Sequence, residues 1–161
     1  MAHVTFKGGV FPHKRKRFTR EKALEEYLPK GDLIYPLRQH IGGTAVPVVA
    51  VGDRVLEGQL LAKASGDISA PVHASVSGTV KAIEPRKTVS GKEILSVVVE
   101  NDGLYEKMPV PKIKPWQELE VGERLRRIQE AGVVGMGGAG FPTHIKLAVR
   151  NPLCPDQRYR M

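Results

Sequence analysis

Sulfur and aromatic carbon are scarce in this chain. One cysteine, Cys154, stands among 161 residues. A single thiol excludes an internal disulfide framework and any metal centre built from several thiolates. Aromatic residues make up 6%, so a core has to rest on Val, Ile, Leu and Ala. No apolar run approaches the roughly 20 residues of a membrane-spanning helix. The N-terminus carries no apolar secretion segment. These two absences lead us to expect a cytoplasmic chain. There is no repeat of the roughly 20–50-residue period that marks a solenoid.

Turn formers and positive charge are present instead. Gly 17 and Pro 12 punctuate the chain into short elements, which suits a β-rich body better than a helical bundle. The net charge is +8 and the pI about 9.7. His13, Lys14, Arg15, Lys16, Arg17, Arg20 and Lys22 form one dense cluster. By charge alone this is a patch for nucleic acid or anionic lipid; the plainer reading is a solvated terminal arm. No aromatic residue is expected to interleave these cations as a stacking platform would, so no nucleic-acid partner is expected.

Along the chain the texture divides into a basic arm over 1–32, a strand-rich region over 33–103, an extended linker over 104–117, a helix with a glycine loop over 118–147, and a tail over 148–161. Strands are expected at Leu33–Leu37, Val46–Val51, Arg54–Val55, Gln59–Ala64, Ile68–Val76, Thr79–Ile83 and Glu93–Glu100. Pro47 confines its strand to an edge or bulge. Ile68, Ala70, Val72, Ala74 and Val76 alternate with a period of two, the mark of a half-buried strand. A helix is expected over Glu118–Ala131, with Val121, Leu125 and Ile128 on one stripe, Glu118 and Glu120 in its first turn, and Gly132 at its C-terminal cap.

Two motifs could carry chemistry. The first runs from Val51-Gly52-Asp53-Arg54-Val55 through Glu57-Gly58-Gln59-Leu60, Ala70-Pro71 and Ser77-Gly78-Thr79-Val80. Its corner glycines resemble those of biotinyl and lipoyl carrier domains and of barrel-sandwich hybrid folds. A swinging-arm carrier needs a lysine at a hairpin tip. Here the tip is Ser65-Gly66-Asp67, Lys63 precedes it, and Lys92 lacks the flanks of a modification site. The motif therefore reads as an unmodified barrel used for docking.

The second motif is Gly132-Val133-Val134-Gly135-Met136-Gly137-Gly138-Ala139-Gly140-Phe141-Pro142-Thr143. Gly135-x-Gly137-x-x-Gly140 matches the dinucleotide fingerprint in form, but a helix precedes it rather than a strand, which disfavours an ordinary Rossmann unit. Glycines at this density let backbone N–H groups approach a phosphate closely. Pro142 suits the first position of a following helix, and Lys146 could add charge. The competing reading is a hinge between domains.

The run Gly135-x-Gly137-Gly138-Ala139-Gly140-Phe141-Pro142-Thr143-x-x-Lys146 is similar to the flavin and NADH loop of the 51-kDa subunit of respiratory complex I. With Met136 between the glycines it resembles more closely the C subunit of Rnf-type ferredoxin:NAD electron-transport complexes. Upstream, Gly8-Gly9, Pro36-Leu37-x-Gln39-His40-Ile41-Gly42, Pro47-Val48-Val49, Gly58-Gln59, Ala70-Pro71-Val72-His73-Ala74 and Ser77-Gly78-Thr79-Val80 agree in family order, so the resemblance covers about residues 6–147.

The resemblance implies a mainly β barrel-sandwich hybrid, with a C-terminal helix and the beginning of an α/β nucleotide-binding domain. It implies that FMN and NADH are held by Gly135, Met136, Gly137, Gly138, Ala139, Gly140 and Phe141, with Lys146 pairing a phosphate. Phe141 is expected to plug the core rather than flank the flavin. No catalytic side chain is implied. The partners would be other subunits of a membrane electron-transport complex, with ferredoxin an indirect one. The chain would lie on the cytoplasmic side, peripheral to the inner or plasma membrane. After about Leu147 the likeness stops. The family's cysteine clusters for 4Fe–4S centres belong to a part absent from this sequence, which reads as truncated and too short for catalysis alone. The alternative is a non-catalytic docking module of the same barrel type, with no bound cofactor.

Overall fold

The computed structural model describes residues 15–112 and 114–148. The Gly8-Gly9 turn, the cations at 13 and 14, and the tail with Cys154 lie outside the described residues. The strands in chain order are β1 (Asp32–Pro36), β2 (Val46–Pro47), β3 (Arg54–Val55), β4 (Leu60–Lys63), β5 (Val72–His73), β6 (Gly78–Lys87) and β7 (Glu93–Asn101). Two helices follow, α1 (Val121–Glu130) and α2 (Thr143–Ala148).

The strands form two antiparallel sheets. One is four-stranded in the order β1-β7-β6-β3; the other is three-stranded in the order β2-β4-β5. Leu37, Val55, Leu61, Val76, Val80, Val97 and Val99 fill the space they enclose and are essentially inaccessible to water. Each such aliphatic side chain contributes about 1.5–3 kcal/mol on burial. Tyr35 is the one aromatic buried with them among the described residues. Its hydroxyl accepts the Ser75 N–H at 3.1 Å and shares a hydrogen bond with Ser75 Oγ at 3.0 Å, so its polar end is satisfied. The body is the mainly β, barrel-sandwich arrangement expected from the sequence.

Individual elements differ from expectation for local reasons. The strand expected over Val46–Val51 ends at Pro47, with Val48 adding one bond to Leu61 O. Beyond it, Asp53 Oδ2 accepts the Ala50 N–H at 2.7 Å and Gly52 takes φ +96°, which turns the chain. The segment from Ile68 to Val76 keeps its alternating burial from Ala70 onward, but only Val72–His73 joins a ladder. Side chains occupy the backbone groups there. Ser69 Oγ accepts the Ser65 N–H and donates to Gly43 O, each at 3.0 Å, and Pro71 has no N–H to offer. β6 instead runs longer than expected, across Pro85. That stretch pairs only with β7, so the missing N–H faces an open edge.

The helix also starts late. Trp116–Glu118 is a 3-10 turn, and Glu120 is the residue before α1. Neither Glu118 nor Glu120 therefore lies in the first α-turn; the acid there is Glu123. The expected stripe is only partly covered: Leu125 and Ile128 are half-buried, whereas Val121 is exposed. Gly132 caps the helix as expected, with φ +70°.

One histidine ties the barrel's loops together. His40 Nε2 lies 3.0 Å from the Ala70 N–H, which can only donate, so that nitrogen accepts. Nδ1–H then donates to Ile41 O at 2.9 Å. The chain after β7 is pinned as well. Asp102 Oδ1 accepts from Ser77 Oγ at 2.7 Å and from the Leu104 N–H at 2.9 Å, and Ser77 Oγ accepts the Glu106 N–H at 2.9 Å. The Ser77 hydrogen bond, with the Leu104 amide second, lowers the Asp102 carboxyl below its usual range.

Both the histidine clamp and the helix acid can be tested. His40→Ala leaves the buried Ala70 N–H without an acceptor, and unfolding free energy should drop by about 2–3 kcal/mol in urea titrations; a change under about 0.5 kcal/mol contradicts the clamp. Glu123 is hydrogen-bonded first by Arg126 and then by Arg127, and its carboxyl is lowered from 4.5 to about 2. A lowered carboxylate stabilises the fold above pH 4.5 and loses that contribution as pH falls toward about 2. The Glu123 side-chain carbon should titrate near the lower value by NMR, and Arg126→Gln with Arg127→Gln should return it toward the ordinary value.

Candidate nucleotide-binding loop

The glycine-dense segment begins where α1 ends. A Cβ at Gly132 would lie 2.8 Å from Pro71 O, so the helix terminus sits directly on the barrel beside β5. The next residues close on themselves. Val134 bridges Pro142, Gly135 N–H donates to Phe141 O at 2.9 Å, and Thr143 N–H donates to Val133 O at 3.0 Å. This pinch brings both ends of the loop together and leaves Met136 to Gly140 as its crown. Met136 is fully exposed, and Gly137, Gly138 and Ala139 are exposed.

Among the described residues, no hydrogen bond uses the N–H of Met136, Gly137, Gly138, Ala139, Gly140 or Phe141. These amides are donors without an intramolecular acceptor in one short bend. The glycines also separate by cause. Gly140 has φ +65°, and a Cβ there would meet Gln39 O at 2.7 Å and His40 Cα at 3.1 Å. The fold itself requires glycine at that position. Gly138 has φ +63°, which also favours glycine. At Gly137 there is nothing within 4 Å of a built Cβ and no left-handed φ; at Gly135 the nearest atom is at 3.7 Å, ordinary contact. The chain's own packing gives no reason for glycine at 135 or 137.

Of the remaining site residues, Phe141 is half-buried, and the fully buried residue at this end of the loop is Pro142. Pro142 precedes α2 instead of opening it, and the first helical N–H, from Thr143, is already bonded. Lys146 lies on α2, exposed, with no ion pair among the described residues. His144, which no sequence pattern singles out, has a buried Nδ1 with no hydrogen-bond partner. Burial lowers the pKa of both His144 and His73 below the usual imidazole value. Both are therefore neutral at pH 7, and Lys146 is the cation nearest in sequence to the loop. A cleft of about 380 Å³ opens at the junction, with His40, His73, Gly132 and Val134 among its walls.

Free amides, glycines that leave room for close approach and a lysine close in sequence are the features a phosphate site draws on. No group of three or more His, Cys, Asp or Glu that could hold one comes together among the described residues. No helix among them is long and apolar enough to cross a membrane.

Comparison with known proteins agrees with the barrel. The RnfC barrel sandwich hybrid domain matches residues 4–104. The chain is 43% identical over 150 residues to the C subunit of the Na(+)-translocating ferredoxin:NAD(+) oxidoreductase complex of Acetobacterium woodii, covering 91% of this chain and 33% of that protein. It is 44% identical over 146 residues to the proton-translocating counterpart of Clostridium ljungdahlii, covering 89% and 32%. Identity to the C subunit of the ion-translocating oxidoreductase complex of Vibrio cholerae is 38% over 144 residues, covering 88% and 19%. The chain thus spans a third or less of the length of these relatives. A corner-glycine barrel matched over 101 of its residues (4 to 104), with identity extending across nine-tenths of the chain, places this protein in the RnfC family.

Proposed function

We propose that this chain is the N-terminal part of the NADH- and FMN-handling subunit of an ion-translocating ferredoxin:NAD oxidoreductase. The barrel serves as the platform, and the loop from Gly135 to Phe141, with Lys146, contributes one wall of the nucleotide site. The carrying observation is the pair Gly135 and Gly137. Glycine there is needed neither for backbone conformation nor for internal packing, and open glycines beside free amides leave room for a phosphate to approach the backbone.

In this reading the free N–H groups of Met136 to Phe141 donate to phosphate oxygens. Lys146 adds charge, and neutral His144 and His73 add none. When bound, FMN supplies the hydride and electron chemistry; the protein supplies placement and electrostatics. The rest of the site, and the 4Fe–4S centres, would lie in the part of the longer relatives that the present sequence does not span. Ion translocation would belong to the assembled complex, with other subunits as partners.

Two glycines that look alike in sequence should behave differently. Gly137→Val should leave the thermal midpoint within about 2 °C, because the site is open. It should weaken FMN binding at least tenfold, and so should Lys146→Ala. Gly140→Ala should instead lower the midpoint by about 5 °C or more, through its clash with the Gln39 carbonyl. Fluorescence titration of the parent chain should give saturable FMN binding in the micromolar to low-millimolar range, about −4 to −8 kcal/mol. No saturation at several millimolar flavin would leave the barrel as a docking module without a cofactor, and equal binding by Gly137→Val would overturn the assignment of the flavin to this loop.

A further inference from the structure

The basic arm is not used by the nucleotide site, and its described part has a composition of its own. Arg15, Lys16, Arg17, Arg20 and Lys22 are exposed, and the acid among them, Glu21, is taken up by Arg20 at 2.8 Å. An aromatic does lie within this cluster, contrary to the sequence expectation. Phe18 is 67% exposed, with the Arg17 guanidinium 4.5 Å from its ring centre. Next come Leu24, fully exposed, Tyr27 at 80% and Leu28 at 50%. The acids Glu25 and Glu26 lie between these apolar residues, beyond the cations.

The backbone of this strap is held at two places. Residues 16–22 make a short turn, with Arg20 and Thr19 N–H bonded to Lys16 O. Pro29 O is fastened to the barrel by Asn101 Nδ2 at 2.7 Å and the Tyr105 hydroxyl at 2.8 Å. Among the described residues, no hydrogen bond holds residues 23–28. The strap therefore presents cations and large apolar side chains together, and none of those side chains packs into the core cluster.

We propose that residues 15–28 dock this chain directly on the anionic surface of a lipid bilayer. Cations facing lipid phosphates, with Phe, Leu and Tyr reaching the acyl boundary, are the chemistry of an interfacial segment. Nucleic acid would use the cations but has no place for the exposed Leu24 and Leu28; Glu25 and Glu26 oppose either polyanion and do not decide between them. Bilayer docking and flavin binding use separate residues, so either could fail without the other.

The test is co-sedimentation of the whole chain with phosphatidylcholine vesicles, with or without about one-third phosphatidylglycerol, at near-physiological salt. The chain should pellet with the anionic vesicles and much less with the neutral ones. Lys16→Gln, Arg17→Gln and Arg20→Gln together should lower partitioning about a hundredfold, at roughly fivefold per cation. Phe18→Ser, Leu24→Ser and Tyr27→Ser together keep the charge and should lower it at least tenfold. Circular dichroism should show both variants folded, since none of these residues belongs to the core. Equal pelleting of the apolar variant and the parent would overturn the proposal, as would absence of binding to anionic vesicles. Tighter binding to a duplex oligonucleotide than to anionic vesicles at the same salt would overturn it in favour of nucleic acid.

Discussion

The backbone of Gly140 lies so close to the barrel that a single added carbon would sit 2.7 Å from the Gln39 carbonyl oxygen. That approach, and the similar one of Gly132 to Pro71, joins the loop to the β body. The surface they rest on is itself held in place. His40 reaches thirty residues along the chain to accept from Ala70, so the segment under Gly140 and the segment leading into β5 are fixed to each other. The loop's crown stands open while its base is hydrogen-bonded and closely packed on the barrel. Free amides on a wandering segment would be solvated and of little use to a ligand; pinched between Val134 and Pro142, they are held in one short bend.

This arrangement divides labour between the two kinds of glycine. Those at 132 and 140 serve the fold, and substituting either strains backbone against backbone. Those at 135 and 137 serve no internal purpose that the geometry shows. Neutral His144 and His73 add no charge of their own, and under the proposed function the amide dipoles and Lys146 supply the positive features. The arrangement suits a ligand that brings its own reactive chemistry and asks the protein for placement.

Much of the body is legible in the sequence because it is written in corner glycines and short aliphatic runs. Gly52, Gly58 and Gly66 all take positive φ between strands, and turn chemistry of that kind is local. Strand lengths are harder to read because side chains distant in sequence decide them. The Ser69 hydroxyl and the His40 ring take backbone partners that a ladder would otherwise hold, and neither partnership shows as a periodicity. The helix start is obscured because Glu118 and Glu120 look like a helical first turn, while the chain at Trp116 winds as a 3-10 turn. In the loop the density of glycine is plain, but not its division into structural and open positions, which needs Gln39 and His40 in place. His144 leaves no pattern at all; its burial comes from the docking of α2.

The central claim is that the amides from Met136 to Phe141 face a nucleotide, and it is tested most directly by following those amides. In an ¹⁵N-resolved NMR titration with FMN, their resonances should shift together and their hydrogen exchange should slow, while β6 and β7 stay unchanged. Shifts scattered over the barrel, or none in the loop at saturating flavin, would contradict the account.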